Sequence, residues 1–312
     1  MRSARVYLWA AISILAIICI VFRGNATAPV NTSVAEAAIA GREDWDSNLQ
    51  EKEEETIRKS FTLTGDAAQR VLEVDNVTGS IEVVGNQSDQ VQVVVNKVTR
   101  AESKAKLEKA RKEVTLDVTQ DGGSLKLFVN GPFRCSHDCD CGNFHDDYGY
   151  QVRMDFQLQV PRNIELKLRT VNGGRIQVKD VTGNYSVNNI NGGIDMQNVA
   201  GSGKVHTVNG GVKVVFRENP RENSSFGSIN GPIELSFAKN LSADFRFKTM
   251  NGGVFSDFPM TMLPNREAHG ERQNGRFIFH ADRFTGGRVG SGGPEITAQN
   301  LNGSIRVLER QD

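Results

Sequence analysis

Three cysteines, two histidines and four aspartates fall within thirteen residues, Cys135-Ser-His137-Asp-Cys139-Asp-Cys141-Gly-Asn-Phe-His145-Asp-Asp147. Thiolates and imidazoles are good ligands for zinc or copper. Cys-x3-Cys-x-Cys is not a common zinc-finger spacing, and the tight Cys-x-Cys pair closes a tetrahedron only with help from another segment. In an oxidising compartment the same thiols form a disulfide staple and leave one cysteine over. Three states stand open: one disulfide with a leftover thiol, a zinc or copper site drawn from Cys135, His137, Cys139, Cys141 and His145, and plain reduced cysteines.

Other candidate chemistry is thinner. His280 and Asp282 are two residues apart near an expected strand end, where a solvated surface pair outweighs a catalytic dyad. Glu82, Asp195 and Glu234 occupy equivalent repeat positions, and a glycan-cleaving site would need such acids in line on adjacent coils. Lys213 and Ser186 interrupt that series. The chain lacks a Gly-x-Ser-x-Gly elbow, a phosphate-cradling Gly-Lys-Ser/Thr loop and a His-Glu-x-x-His pair. The stretch Gly286–Gly293 is glycine-rich without dinucleotide spacing. Lys plus Arg equals Asp plus Glu at 37 each, so no global charge points to nucleic acid. These readings predict no catalytic residues and no cofactor beyond the zinc or copper alternative at the loop.

The elements that must position these residues are mostly strands. From Phe61 onward short segments alternate apolar and polar residues, as in Ile81-Glu-Val83 and Val91-Gln-Val93. One helix is predicted over 100–112, with a narrow apolar stripe of Leu107, Ala110 and Val114. The strongest pattern is an internal repeat. Asn-Gly recurs at Asn172, Asn191, Asn209, Asn230, Asn251 and Asn302, the first five spaced 19, 18, 21 and 21. Further turns lie between them at Thr182-Gly183 and Ala200-Gly201. Apolar residues follow most of these turns at +3 and +5, and often at +8: Ile194, Met196 and Val199 after Asn191, or Tyr185, Val187 and Ile190 after Thr182; Ala200 has Gly203 at +3, with Val205 and Val208 after it. Asn172 runs one place late, which predicts a bulge near Arg175.

Repeats of about twenty residues with a turn every ten favour an all-β fold, a parallel β-solenoid with one inserted helix. An antiparallel β-sandwich of hairpins is the alternative. Coils stacked at about 4.8 Å would put the six asparagines into a turn ladder. They would also align Ile194, Val212, Ile233 and Val254 in an apolar column.

The first residues carry an export signal. Val6–Phe22 is an uncharged apolar run of seventeen residues between Arg5 and Arg23, and Ala26-Thr27-Ala28 has the form of a cleavage site. The predicted organisation is a signal peptide or membrane anchor over 1–28 and a charged linker over 29–60. A β region follows over 61–162, holding the helix and a Cys/His loop at 133–148, and then an Asn-Gly repeat solenoid over 163–312. The main domain is expected outside the cytoplasm, anchored or secreted.

The ordered series Val74-Asp-Asn-Val-Thr-Gly-Ser-Ile-Glu-Val83, Thr-Val-Asn-Gly-Gly at 170–174 and 207–211, Thr-Met-Asn-Gly-Gly at 249–253, Phe255-Ser-Asp-Phe-Pro259 and Leu301-Asn-Gly-Ser-Ile305 resembles a bacterial adhesin-type domain-of-unknown-function family of β-strand-repeat envelope proteins. The resemblance spans about residues 61–310. It implies a right-handed solenoid-type fold, an envelope location and no established catalytic residues; the Cys/His loop departs from it. The expected function is a non-catalytic surface for adhesion, glycan or protein binding. An envelope-stress or regulatory scaffold and a glycan-active enzyme are the other readings. The expected partners are the membrane through the N-terminal helix, an envelope protein or polysaccharide, and a second copy by edge pairing.

Overall fold

The computed structural model describes residues 48–134, 148–264, 269–273, 276–280 and 284–311. Val6–Phe22 and the loop residues Cys135, His137, Cys139, Cys141 and His145 lie outside them. Among the described residues no helix is long and apolar enough to cross a membrane.

The chain runs through β1 (Glu51–Thr62), β2 (Val71–Asp75), β3 (Ile81–Asn86) and β4 (Gln90–Ala101). The helix α1 (Lys104–Glu113) leads to β5 (Thr115–Asp121), β6 (Ser124–Asn130) and β7 (Tyr150–Pro161). Short strands then come two by two: β8 (Glu165–Thr170) and β9 (Ile176–Lys179), β10 (Tyr185–Asn189) and β11 (Ile194–Val199), β12 (Gly203–Asn209) and β13 (Val212–Phe216), β14 (Ser224–Asn230) and β15 (Ile233–Phe237), β16 (Ala243–Lys248) and β17 (Val254–Ser256). After β18 (Thr261–Leu263), β19 (His269–Gln273), β20 (Arg276–His280) and β21 (Thr285–Val289) come β22 (Glu295–Asn302) and β23 (Ile305–Glu309).

These strands form two open mixed sheets and a small β19–β20 hairpin. Sheet one has the order β1-β4-β7-β3-β9-β11-β13-β15-β23-β17, and sheet two β18-β21-β16-β22-β14-β12-β10-β8-β2-β6-β5. The first strand of each two lies in sheet two and the second in sheet one. Each pairs in parallel with its counterpart in the next two: Val187 faces Leu168 and Val205, and Ile194 faces Ile176 and Val212. The alternating apolar positions fill the space between the sheets. Ile81, Val83, Ile176, Val178, Ile233, Leu235, Ile305 and Val307 are fully buried. Phe216 stacks on Phe237 at 4.8 Å between ring centroids, and Phe226 and Phe245 meet that pair edge-on.

Several expectations change. β22–β23 sits between β14–β15 and β16–β17, so the stacking order is not the chain order. Ile305 therefore stands between Ile233 and Val254 in the apolar column, and Val254 at its end is 39% exposed. The residue that delays the Asn172 repeat is Gly173, not a bulge near Arg175. Its φ is +67°, and Gly174 takes the place that Gly192 holds in the next rung. Within 163–312, β21 pairs antiparallel with β16 and β18, so parallel pairing does not run throughout. The helix starts later than predicted, because Arg100 and Ala101 are still paired with Gln151 and Tyr150 of β7. Ser103 caps it, its hydroxyl accepting from the Lys106 amide. Ala110 and Val114 are buried as the stripe requires, with Leu107 packed beside them. The end of the charged linker is also strand: β1 pairs along its whole length with β4, and Ile57 and Phe61 pack on the core.

Candidate functional site

The six Asn-Gly turns from sheet two to sheet one carry the same three-residue device. Its last residue is the repeat asparagine. Asn191 Nδ2 donates to Asn172 Oδ1 at 2.9 Å, Asn209 to Asn191 at 2.8 Å, Asn230 to Asn209 at 2.8 Å, Asn302 to Asn230 at 2.7 Å and Asn251 to Asn302 at 2.8 Å. The structure thus brings all six asparagines into one exposed chain of amides.

Two residues earlier stands a buried hydroxyl or amide that the sequence reading did not single out. Thr170 Oγ1 donates to the Gly79 carbonyl at 2.9 Å, Asn189 Nδ2 to Gly174 at 2.8 Å and Thr207 Oγ1 to Gly192 at 2.8 Å. Ser228 Oγ reaches Gly210 at 2.8 Å and Asn300 Nδ2 reaches Gly231 at 2.7 Å. Each clamps its rung to the neighbouring one. The signal was present: the residue two before each repeat asparagine is always Thr, Asn or Ser. Asn189 and Asn300 do this less well than Thr, because their Oδ1 atoms are buried without a hydrogen-bond partner. Thr207 does the same work with no stranded acceptor. Asn189→Thr should therefore raise stability by about 1 kcal/mol, read from urea unfolding; a loss would show that the longer amide is needed to reach Gly174.

The middle residue of the device is always apolar and points outward. Val171, Val208 and Ile229 are half-buried, while Ile190, Leu301 and Met250 are 37%, 40% and 76% exposed. They make an apolar ridge beside the asparagine chain. Next to it, on the outer face of sheet two, lies a trough of about 630 Å³. Ser225 and Gly227 of β14 form its floor, where side chains are smallest. Lys204 and His206 of β12 stand on one side, and Lys248, Met250, Gln299 and Leu301 on the other. His206 leans over β14 closely enough that a Cβ on Gly227 would meet its Nδ1 at 2.5 Å.

The outer face of sheet one is electrostatically different. Glu82, Gln177, Asp195, Lys213, Glu234 and Arg306 follow one another from strand to strand. Gln177 and Lys213 separate the three acids, and Arg306 donates to Glu234 at 2.8 Å. No two carboxylates adjoin in this column. Asp195 accepts from Gln197 Nε2 at 3.2 Å across an open face. Asp195→Ser should change stability by less than about 0.5 kcal/mol; a large loss in thermal unfolding would mean the two faces are assigned in reverse.

A smaller cleft at the other end is lined by Glu53, Glu55, Lys97, Thr99 and Arg111. Arg111 Nε and Nη2 each donate to Glu53 at 2.6 Å, which holds that carboxyl below its ordinary pKa. Lys97 is buried and donates to the Val114 carbonyl at 2.8 Å; burial pushes its pKa down. This is a strut under the end of α1. His280 belongs to β20, while Asp282 lies outside the described residues. Among the described residues no three His, Cys, Asp or Glu side chains are grouped to hold a metal ion.

No family model and no curated protein matches the chain. Solved structures do. One is described as a cell adhesion protein from Clostridium sporogenes, 12% identical over 82% of this chain and 100% of its own, with a TM-score of 0.32. Another is described as an adhesin from Bacteroides fragilis, 10% identical over 82% and 97%, with a TM-score of 0.35. A third is described as a lipid binding protein from Parabacteroides distasonis, 11% identical over 81% and 96%, with a TM-score of 0.24.

Proposed function

We propose that the chain is a non-catalytic binding module of the bacterial cell envelope, built as a two-sheeted parallel β-solenoid and held at a membrane by Val6–Phe22. The observation that carries the binding role is the open trough on sheet two, where Lys204, His206 and Lys248 face an apolar ridge. Such a surface offers complementary charge and apolar contact without surrounding its ligand. On the opposite face the acids are interleaved with Gln177 and Lys213, which suits a solvated surface better than paired-carboxylate glycan cleavage. The solenoid reading rests on parallel pairing of strands 18 to 21 residues apart, as between Ile194 and Val212 or Val212 and Ile233. Consecutive strands such as β10 and β11 lie in different sheets, whereas a sandwich of hairpins would pair them. The loop at 133–148 enters as a disulfide-stapled segment with one leftover thiol, zinc or copper being the alternative. Intact mass under non-reducing conditions, with metal analysis, separates them: a deficit of about two daltons marks the disulfide.

The binding role is tested on the purified full chain with radiolabelled envelope fractions of polysaccharide, lipid and protein. Ser225→Trp fills the trough, and Gln177→Trp places the same bulk on sheet one. Ser225→Trp alone should abolish retention, and the retained material should be recovered with unchanged mass. Equal retention by both variants would remove the trough as the site, and chemically altered material would make the protein an enzyme.

A further inference from the structure

From β8 to β16 the outward residues around the trough carry one sign of charge; beyond β8 their columns meet Glu73 and Asp75 of β2. Two outward columns run beside the apolar ridge from β8 to β16. One is Lys167, Ser186, Lys204, Ser225, Thr297 and Arg246; the other is Arg169, Asn188, His206, Gly227, Gln299 and Lys248. These twelve positions carry five Lys or Arg side chains, one histidine and no acid. The acids of the same strands lie toward their other ends, where Glu165 pairs with Lys167 at 3.4 Å and Glu295 with Arg246 at 3.7 Å. Lys204 and His206 are exposed and make no ion pair among the described residues, and Lys248 faces the Phe284 ring at 5.6 Å.

The basic columns alone would suit any polyanion. The ridge decides between ligands. Ile190, Val208, Ile229, Leu301 and Met250 occupy five successive rungs, which at about 4.8 Å per rung span about 19 Å. Exposed apolar groups in such a line are uncommon on a protein that binds nothing there. The floor between ridge and cations is kept low by Ser225 and Gly227, and among the described residues that line it no Phe, Tyr or Trp ring projects from the floor to stack a sugar: Phe226 is buried, and Phe284 lies against Lys248 at the edge. A ligand that satisfies both walls carries a negative head and a linear apolar chain.

Resting on the binding-module reading, we propose that the trough binds a free single-chain anionic amphiphile. Its head sits beside Lys204 and His206 on β12, and its acyl chain runs along the ridge from Val208 past Ile229 and Leu301 to Met250 at the end of β16. The head gains from cations that have no competing carboxylate nearby. The chain gains from covering Leu301 and Met250, which water otherwise wets.

Calorimetry on the full chain tests this with laurate and dodecyl phosphate below their micelle concentrations. Both should bind at one per chain. Acetate, which has only the head, and dodecyl maltoside, which has the tail with an uncharged sugar head, should bind at least about ten-fold more weakly. Lys204→Glu with His206→Glu should weaken laurate by about ten-fold or more, and Met250→Ser with Leu301→Ser should weaken it comparably. Asp195→Ser should leave it unchanged, and melting temperatures verify that each variant is folded. Equal binding of dodecyl maltoside, or unaltered laurate binding in both double variants, overturns the proposal. So does engagement of polygalacturonate or of anionic phospholipid vesicles by a protein that ignores laurate. If laurate fails while Ser225→Trp still abolishes retention of envelope material, the amphiphile is wrong and the binding module stands. If Ser225→Trp abolishes nothing, both fall.

Discussion

Val205→Asp should destabilise the protein by about 4 kcal/mol or more. Val205 is 1% exposed and sits in an inward column between Val187 and Phe226, with Leu168 and Ala298 beyond them. Removing its methyls forfeits about 1.5–3 kcal/mol of burial. The carboxyl then meets aliphatic and aromatic carbon on both sides, because the clamp hydroxyls of this region already bond glycine carbonyls. It must either be stranded as an anion or take up a proton at neutral pH, and each adds to the loss. Urea unfolding at neutral and at mildly acid pH gives the two contributions. The deficit should shrink as pH falls, because the buried acid is more easily accommodated when protonated. An unchanged melting temperature would put Val205 on the surface and invert the assignment of faces.

The inward positions at +3 and +5 were legible because alternate residues of a strand share a face. Ile194 and Met196, Val212 and Val214, Ile233 and Leu235, and Ile305 and Val307 stand at +3 and +5 of their turns, and all are buried. The same parity held a clue that went unused. Ile190 and Val208 lie at +8 of theirs, which is the wrong parity for the core, and both face outward on the ridge, whereas Val199 at the same offset is buried because Asn198, at φ +54°, shifts the register of β11. An apolar residue repeated at an outward position is a surface feature, and the ridge could have been read from it. The clamp was equally visible as Thr, Asn or Ser two residues before each asparagine, but its role depends on a glycine carbonyl one rung away, which no local window contains.

The order of the rungs was not legible, for a physical reason. Each two-strand unit offers its neighbours the same edges: an asparagine amide, a clamp and a glycine. Nothing in the Leu301-Asn302-Gly303 turn distinguishes the slot beside Asn230 from the slot beyond Asn251. The interval from Asn251 to Asn302 is 51 residues where the others are about twenty, and that is the only trace of a chain that passes one slot and later fills it. Hydrogen-bond complementarity makes the rungs interchangeable; side-chain fit has to choose. Ile305 fully buried between Ile233 and Val254 is part of that fit.

The close approach of rungs at the asparagine corner leads to the other large effect, Gly192→Ala, expected to destabilise by about 3 kcal/mol. A Cβ on Gly192 would lie 2.0 Å from the Gly174 carbonyl oxygen and 2.7 Å from the Asn189 clamp nitrogen. Neither neighbour can retreat cheaply. Asn189 Nδ2 is held on that same Gly174 carbonyl, the Asn191 amide donates to Val171 at 2.8 Å, and Thr207 holds the Gly192 carbonyl from the far side at 2.8 Å. Moving the rung far enough to admit a methyl group breaks the clamp above or below and opens the amide chain at Asn191. Gly173→Ala is the control, because its virtual Cβ meets nothing within 4 Å while its φ of +67° disfavours any other residue. That substitution should lose only about 1–2 kcal/mol, the conformational penalty alone. Hydrogen exchange separates the two mechanisms: Gly192→Ala should deprotect the Asn191 and Asn209 amides on both sides of the wedge, and Gly173→Ala should leave Asn209 protected. If the two variants lose equal stability with the same exchange pattern, the rungs are not locked to one another at this corner, and the asparagines decorate the fold rather than tie it.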